Sequence, residues 1–205
     1  MYRVAFTLYT LFRGRSVNTQ DNYRDTALME ASRRGHTGAV KLLIDNGADV
    51  NCMNSYGEIA LIEASDNGHI EVVKLLIEAG ADVNARDHGT TALMEASIDG
   101  YLEIVKMLIE AEADLNIQYS GVIYLDSDKE ITGKVIERKF VIKYYQYTVL
   151  MLASEMGHAD IVKLLLNAGA DVNVQNDAGR TALIIATDRN NNDIVQLLNE
   201  ACDKK

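Results

Sequence analysis

The chain has 205 residues, enough for one compact domain or two at most. Its 48% apolar and 24% charged residues argue against disorder, and 20 Lys and Arg against 30 Asp and Glu leave a net charge of −10, which disfavours a nucleic-acid binder. No apolar run approaches the roughly 18–20 residues that a membrane helix needs, and Cys52 and Cys202 are too few for a disulfide framework or a thiolate zinc site.

Self-similarity organises the elements. Thr26-Ala-Leu-Met-Glu-Ala-Ser32 returns as Thr91-Ala-Leu-Met-Glu-Ala-Ser97 and as Thr181-Ala-Leu-Ile-Ile-Ala-Thr187. Gly-Ala-Asp-Val-Asn ends at Asn51, Asn84 and Asn173, with Glu112-Ala-Asp-Leu-Asn116 as a variant. The period is 33 residues, with one deletion near His88 and an insertion of 24 residues between Asn116 and Thr148.

In chain order, Met1–Gln20 carries Arg3, Arg13 and Arg15, no acid, and an apolar-leaning run from Val4 to Phe12. That pattern suits a targeting segment. It also suits a degenerate half-repeat cap, and the register favours the cap, because Gly14, Val17 and Asn18 stand 33 residues before Gly47, Val50 and Asn51. Thr26 is an N-cap for a predicted helix over residues 27–34, ended by Gly35. A second helix follows, with Val40, Leu43 and Ile44 on one stripe and Gly47 closing it. Two helices this short cannot bury their apolar faces alone, so neighbouring units must stack.

The repeated helix–turn–helix–loop unit, with Gly-His at 35–36, 68–69 and 157–158 and its Gly-Ala-Asp-Val-Asn endings, resembles the ankyrin repeat. The fold expected is an all-α repeat solenoid forming a single domain over 1–205. It comprises an N-terminal cap over 1–20, repeats one to three over 21–118, a β-hairpin insertion over 119–143, and repeats four and five over 144–205. The family's Thr-Pro-Leu-His becomes Thr-Ala-Leu-Met in repeats one and three and Ile59-Ala-Leu-Ile62 in repeat two, and the chain has no proline. Glu112 stands where other repeats place glycine, so the joint between repeats three and four is expected to be the weakest.

The insertion is dense in β-branched and aromatic residues and predicts two or three strands, with turn chemistry at Asp126-Ser-Asp128 and Thr132-Gly133. Its charge is +1 and that of the N-terminal segment +3, leaving −14 on the repeats. Packing on the array and projection toward a partner are both open readings of it. At the far end, Arg189-Asn-Asn-Asn-Asp193 replaces the Gly-His turn, as a polar terminal repeat would require.

No catalytic signature is present, and no cofactor or metal is expected. His36, His69 and His158 occupy one repeat position, too far apart for shared ligation if the units stack as the resemblance implies. The glutamates at 30, 63 and 95 read as solvated surface or as contacts for a basic partner, and Asp49, Asp82, Asp114 and Asp171 as turn acceptors. The resemblance implies a non-catalytic protein-interaction module, an adaptor or inhibitor that binds through a concave side built from hairpin tips and first helices. Carried onto this sequence, those positions are Asn22, Tyr23, Asp25, Arg33 and Arg34 in repeat one, and Ser55, Tyr56, Glu58, Asp66 and Asn67 in repeat two. Repeat three gives His88, Thr90, Ile98 and Asp99, and repeat four gives Tyr145, Tyr147, Glu155 and Met156. Tyr124 and Tyr144 would anchor a contact through the insertion. The expected partner is another protein, with a basic surface, and neither nucleic acid nor membrane. A monomer is expected, with dimerisation through the hairpin as the other possibility. A structural spacer or a translocated effector are the alternatives. Two unpaired cysteines and the lack of an Asn-x-Ser/Thr sequon fit the cytoplasm.

Overall fold

The computed structural model describes residues 16–125 and 140–203. Among these, ten helices stand in pairs: α1 (Ala27–Arg33) and α2 (Thr37–Asp45), α3 (Ala60–Asp66) and α4 (Ile70–Glu78), α5 (Ala92–Ile98) and α6 (Leu102–Glu110), α7 (Val149–Met156) and α8 (Ala159–Asn167), α9 (Ala182–Asp188) and α10 (Asn192–Cys202). The odd helices pack in sequence as one layer and the even helices as a second. The core is the seam between the layers. Leu28, Leu61, Leu93 and Leu150 bury from the first layer, and Leu43, Leu76, Leu108 and Leu165 from the second. The all-α solenoid read from the 33-residue period is therefore the architecture found.

Local chemistry sets each unit. The hydroxyls of Thr26, Thr91, Thr148 and Thr181 accept from the backbone N–H three residues on, fixing the starts of α1, α5, α7 and α9. Ile59, which cannot cap, starts α3 from an extended backbone without that bond. Within the first layer Ser65, Ser97 and Ser154 are fully buried, and each hydroxyl donates to the carbonyl four residues back.

Two columns lock neighbouring repeats together. Asn18, Asn51 and Asn84 each accept at Oδ1 from the backbone N–H of Asp49, Asp82 and Asp114, one repeat on, at 2.8 Å. Each of those aspartates accepts in turn from the N–H of Asn51, Asn84 or Asn116. The loop aspartates are thus turn acceptors, as their spacing suggests. In the other column, His69 Nε2 lies 3.0 Å from the Arg33 carbonyl and His158 Nε2 lies 2.9 Å from the Ile98 carbonyl. Asn191 does the same work with its Nδ2, donating to the Ser154 carbonyl at 2.8 Å. Asn18 belongs to the ladder and Val17 is buried, which puts residues 16–18 in repeat register. The rest of the capping segment, residues 1–15, lies outside the described residues.

The insertion leaves the stacking intact. Strands β1 (Tyr119–Leu125) and β2 (Phe140–Tyr147) form an antiparallel pair whose register runs from Tyr119↔Tyr147 to Leu125↔Phe140, with a bulge between Tyr119 and Gly121. Beyond the base of this hairpin α5 packs on α7 and α6 on α8, as at the other joints. The ladder also crosses the gap, with Asp171 donating to Asn116 Oδ1, but at 3.2 Å this is its longest rung. The expected β content is thus two strands among the described residues, and β2 extends to Tyr147, past the boundary drawn at 143. The turn signals at 126–128 and 132–133 lie outside the described residues.

Repeat five is polar on its second helix, as expected, but not throughout. Asn192, Asp193, Gln196, Asn199 and Glu200 are exposed on α10, but Ile184 of α9 is 43% exposed, whereas Met29, Ile62, Met94 and Met151 at the same position are buried. Those four are covered by the following repeat.

Two predictions follow from this geometry. Glu112 holds φ at 64° with its N–H on the Ile109 carbonyl, the conformation that Gly47, Gly80 and Gly169 adopt at equivalent positions. Glu112→Gly should therefore raise the unfolding free energy by about 1 kcal/mol in urea titration. Asn51 bonds both the Asp82 N–H and the Gly80 carbonyl. Asn51→Ala should lower stability by about 1–2 kcal/mol in the same assay.

Candidate functional site: the ridge of hairpin tips and first helices

Three of the hairpin tips are each folded by a single acceptor side chain. Asp21 Oδ1 takes the N–H groups of Tyr23 and Asp25, Asn54 Oδ1 those of Tyr56 and Glu58, and Asn176 Oδ1 those of Ala178 and Arg180. Repeat three is one residue shorter here. Its tip closes as a two-residue turn between Asp87 and Thr90, with His88 and Gly89 both at positive φ.

Adjacent tips touch. Ser55 N–H donates to the Tyr23 carbonyl at 2.8 Å, and the rings of Tyr23 and Tyr56 stack at 5.8 Å with 27° between their planes. Both tyrosines are about half exposed, at 51% and 52%. They form a shallow aromatic platform at the lip of repeats one and two, with Met53 also exposed nearby in sequence.

Below the tips, first-helix side chains reach across repeats. Arg33 sends Nη1 to Glu30 at 3.0 Å, Nη2 to Glu58 at 2.9 Å and Nε to Glu63 at 2.7 Å. Arg34 holds the second oxygen of Glu30 at 2.6 Å. Burial would pull the Arg33 pKa down, but the Glu63 carboxylate, with Glu58 and Asp25 behind it, raises it above its ordinary value. At the opposite end Arg189 pairs with Glu155, and Arg180 pairs with Asp188 at 2.7 Å.

Between these neutralised ends lies acidic ground. Burial, with repulsion from Asp66, Asp99 and Asp87, pushes the Glu95 carboxyl up to about 7, although the nearby Thr90 hydroxyl opposes the rise. Partial desolvation raises the Asp66 carboxyl although the residue as a whole is exposed, and desolvation also raises Asp87 and the Tyr101 phenol, with Asp99 and Asp66 adding to the last of these. Among the described residues neither Glu95 nor Asp66 meets a cation in an ion pair. Carboxylates so crowded favour an external positive charge.

The structure places the ridge residues expected from sequence in unlike surroundings. Tyr23, Tyr56, His88, Asp66, Asn67 and Asp99 are exposed along the ridge, as are Asn22 and Ser55. Asp25, Arg33, Arg34 and Glu58 are on it but engaged internally: Asn54 Nδ2 donates to both Asp25 and Glu58 at 2.6 Å, and Arg33 and Arg34 serve the carboxylates named above. Thr90, Ile98 and Tyr147 are buried and cannot present their side chains. Thr90 closes the shortened tip with its hydroxyl on the Asp87 carbonyl. Ile98 is apolar where neighbouring repeats carry charge, so it joins the core. Tyr147 sits at the hairpin base with its phenol on Glu155. Glu155 is itself covered and held by Arg189, and Met156 is half-buried against the core. Tyr124, Tyr144 and Tyr145 lie on the two strands, and their side chains are outside the described residues.

Two features escaped sequence reasoning. Glu30 is buried rather than solvated, which corrects the surface reading of the glutamate column, and Asp87 belongs to the acidic centre. The signal for the first was available in Arg33 and Arg34, three and four residues beyond Glu30 on one helix.

Known proteins carry the same pattern. A family model for ankyrin repeats in three copies matches residues 3–87 and 127–205, and a single ankyrin-repeat model matches 88–120. Curated relatives include a putative ankyrin repeat-containing protein of Treponema pallidum, 42% identical over 52 residues, 25% of this chain and 17% of that protein. The NF-kappa-B inhibitor cactus of Drosophila melanogaster is 43% identical over 54 residues, 26% of this chain and 11% of cactus. A probable rice E3 ubiquitin-protein ligase, XBOS33, is 51% identical over 49 residues, 24% and 9% of the two chains. The matches thus span less than a fifth of each relative. The family is generally a non-catalytic, protein-binding one. With its period, its two helical layers and both family models in agreement, the chain belongs to the ankyrin-repeat family.

Proposed function

We propose that this chain is an adaptor or inhibitor that docks a basic segment of a partner protein along its concave ridge, the partner's lysine or arginine side chains entering between repeats two and three. The observation that supports this reading is the contrast along the ridge. Its two ends are neutralised by Arg33, Arg34, Arg180 and Arg189, while Glu95 and Asp66 at the centre meet no cation among the described residues. A cation from outside relieves that repulsion and restores Glu95 to its ionised form. The Tyr23–Tyr56 platform at the lip adds contact area at small cost in side-chain freedom. A net charge of −14 on the repeats accelerates encounter with a basic partner at low salt. The similarity to cactus, named as an NF-kappa-B inhibitor, supports an inhibitory role by occlusion.

Affinity capture from a lysate of the source cell tests the proposal. Proteins retained at low salt should be released as salt rises, and a Glu95→Lys, Asp66→Lys double variant should lose them. Equal retention by that variant would overturn the basic-partner reading.

The Glu95 carboxyl also makes stability depend on pH. Its folded value of about 7 lies above the ordinary 4.5, so the folded state holds the proton more tightly. The array is then more stable below pH 4.5 on this account, and the advantage disappears as pH rises through 7. Glu95→Gln should stabilise the array at pH 7.5 by on the order of 1–3 kcal/mol and flatten the change between pH 5 and 7.5, as thermal melts would report.

A further inference from the structure

Among the described residues no third strand pairs with either side of the hairpin. Among the described residues β1 and β2 form a two-stranded sheet of their own, and each strand's one substantial packing partner is the other. A two-stranded ribbon without a supporting helix or a third strand is marginal in water. The two edges differ in chemistry. β2 carries Lys143, with Arg138 and Lys139 just before it in sequence, and an edge lysine discourages pairing with another strand. β1 reads Tyr-Ser-Gly-Val-Ile-Tyr-Leu over residues 119–125, with no charge and no proline. Its bulge lies at the base, between Tyr119 and Gly121, so the backbone from Gly121 to Leu125 is regular and available for pairing.

We infer that the occupant of this edge is a second copy of the same chain, the two β1 strands pairing antiparallel about a two-fold axis to give a four-stranded sheet in the order β2-β1-β1-β2. Charge favours a copy at this place. The repeats carry −14 and repel one another, whereas the insertion carries +1, so two molecules meet there without that penalty. With the axis at Ile123, Val122 of each strand faces Tyr124 of the other, and Gly121 faces Leu125. No two charges are brought opposite. The new contacts are backbone hydrogen bonds along an edge that no other described strand uses. This inference does not rest on the acidic centre of the ridge.

Sedimentation equilibrium on the full chain tests it, over roughly 1–200 µM, the range of a small edge contact. The expected result is a species of twice the 22.7 kDa chain mass that dissociates on dilution. Ile123→Lys and Ile123→Glu, each alone, should weaken association about tenfold or more, because like charges then face each other across the axis. An equimolar mixture of the two variants should recover the dimer, which separates lost pairing from a lost hairpin. A monomer at every concentration, a dimer indifferent to both single variants, a mixture that stays monomeric, or an assembly growing beyond two copies would each overturn the proposal. Strand capture by an unrelated protein gives the first of these results.

Discussion

No repeat of this chain can bury its own apolar surface. A seven-residue first helix and a nine-residue second helix present a stripe on each side, and both stripes are satisfied only when another pair stands against them. Everything else in the molecule serves that stacking. Met29, Ile62, Met94 and Met151 are sealed by the repeat that follows, and Ile184, with no described repeat after it, is the exception that shows the cause. The polar columns contribute about a kcal/mol per rung and fix how far one unit is translated from the last. The asparagine ladder sets the loop side, and the His69, His158 and Asn191 column sets the turn side.

Stacking at fixed spacing also explains the ridge. A first-helix residue lies nearer to its counterpart in the next repeat than to most of its own unit, so charges interact across repeats. Arg33 therefore neutralises Glu58 and Glu63 of repeat two as readily as its own Glu30. Where arginine is replaced at that position, by Asp66 in repeat two and Ile98 in repeat three, the glutamate column loses its counter-charge and Glu95 becomes a weak acid. The acidic centre is a consequence of which residue fills one column.

Most of the fold was legible in the sequence because a period is a one-dimensional signal. Thr26, Thr91, Thr148 and Thr181 announced the first helices, and the loop asparagines announced the spacing. Less of the ridge was legible. The period gives a residue's position in its repeat but not its neighbour in the next one. Tyr147 and Ile98 occupied positions that are exposed elsewhere, and only the packed structure shows the phenol turned onto Glu155 and the isoleucine absorbed by the core. The charge pattern had the same difficulty. Arg33 read as a binding residue because its three carboxylates lie as far as 30 residues away in sequence. The hairpin was legible as strands from composition alone, since β-branched and aromatic residues mark a pleated surface whatever it joins.

The base of that hairpin has a wider meaning. Because Tyr119 and Tyr147 leave the array already paired, the helical layers meet the same two anchor points whatever lies between them. The entropy of closing a loop grows only with the logarithm of its length, about 0.6 kcal/mol for each doubling. A segment at this joint can thus lengthen, shorten or be exchanged in evolution while the solenoid keeps its register. The array behaves there as a socket, and new extensions can be tried in it without disturbing the fold that carries them.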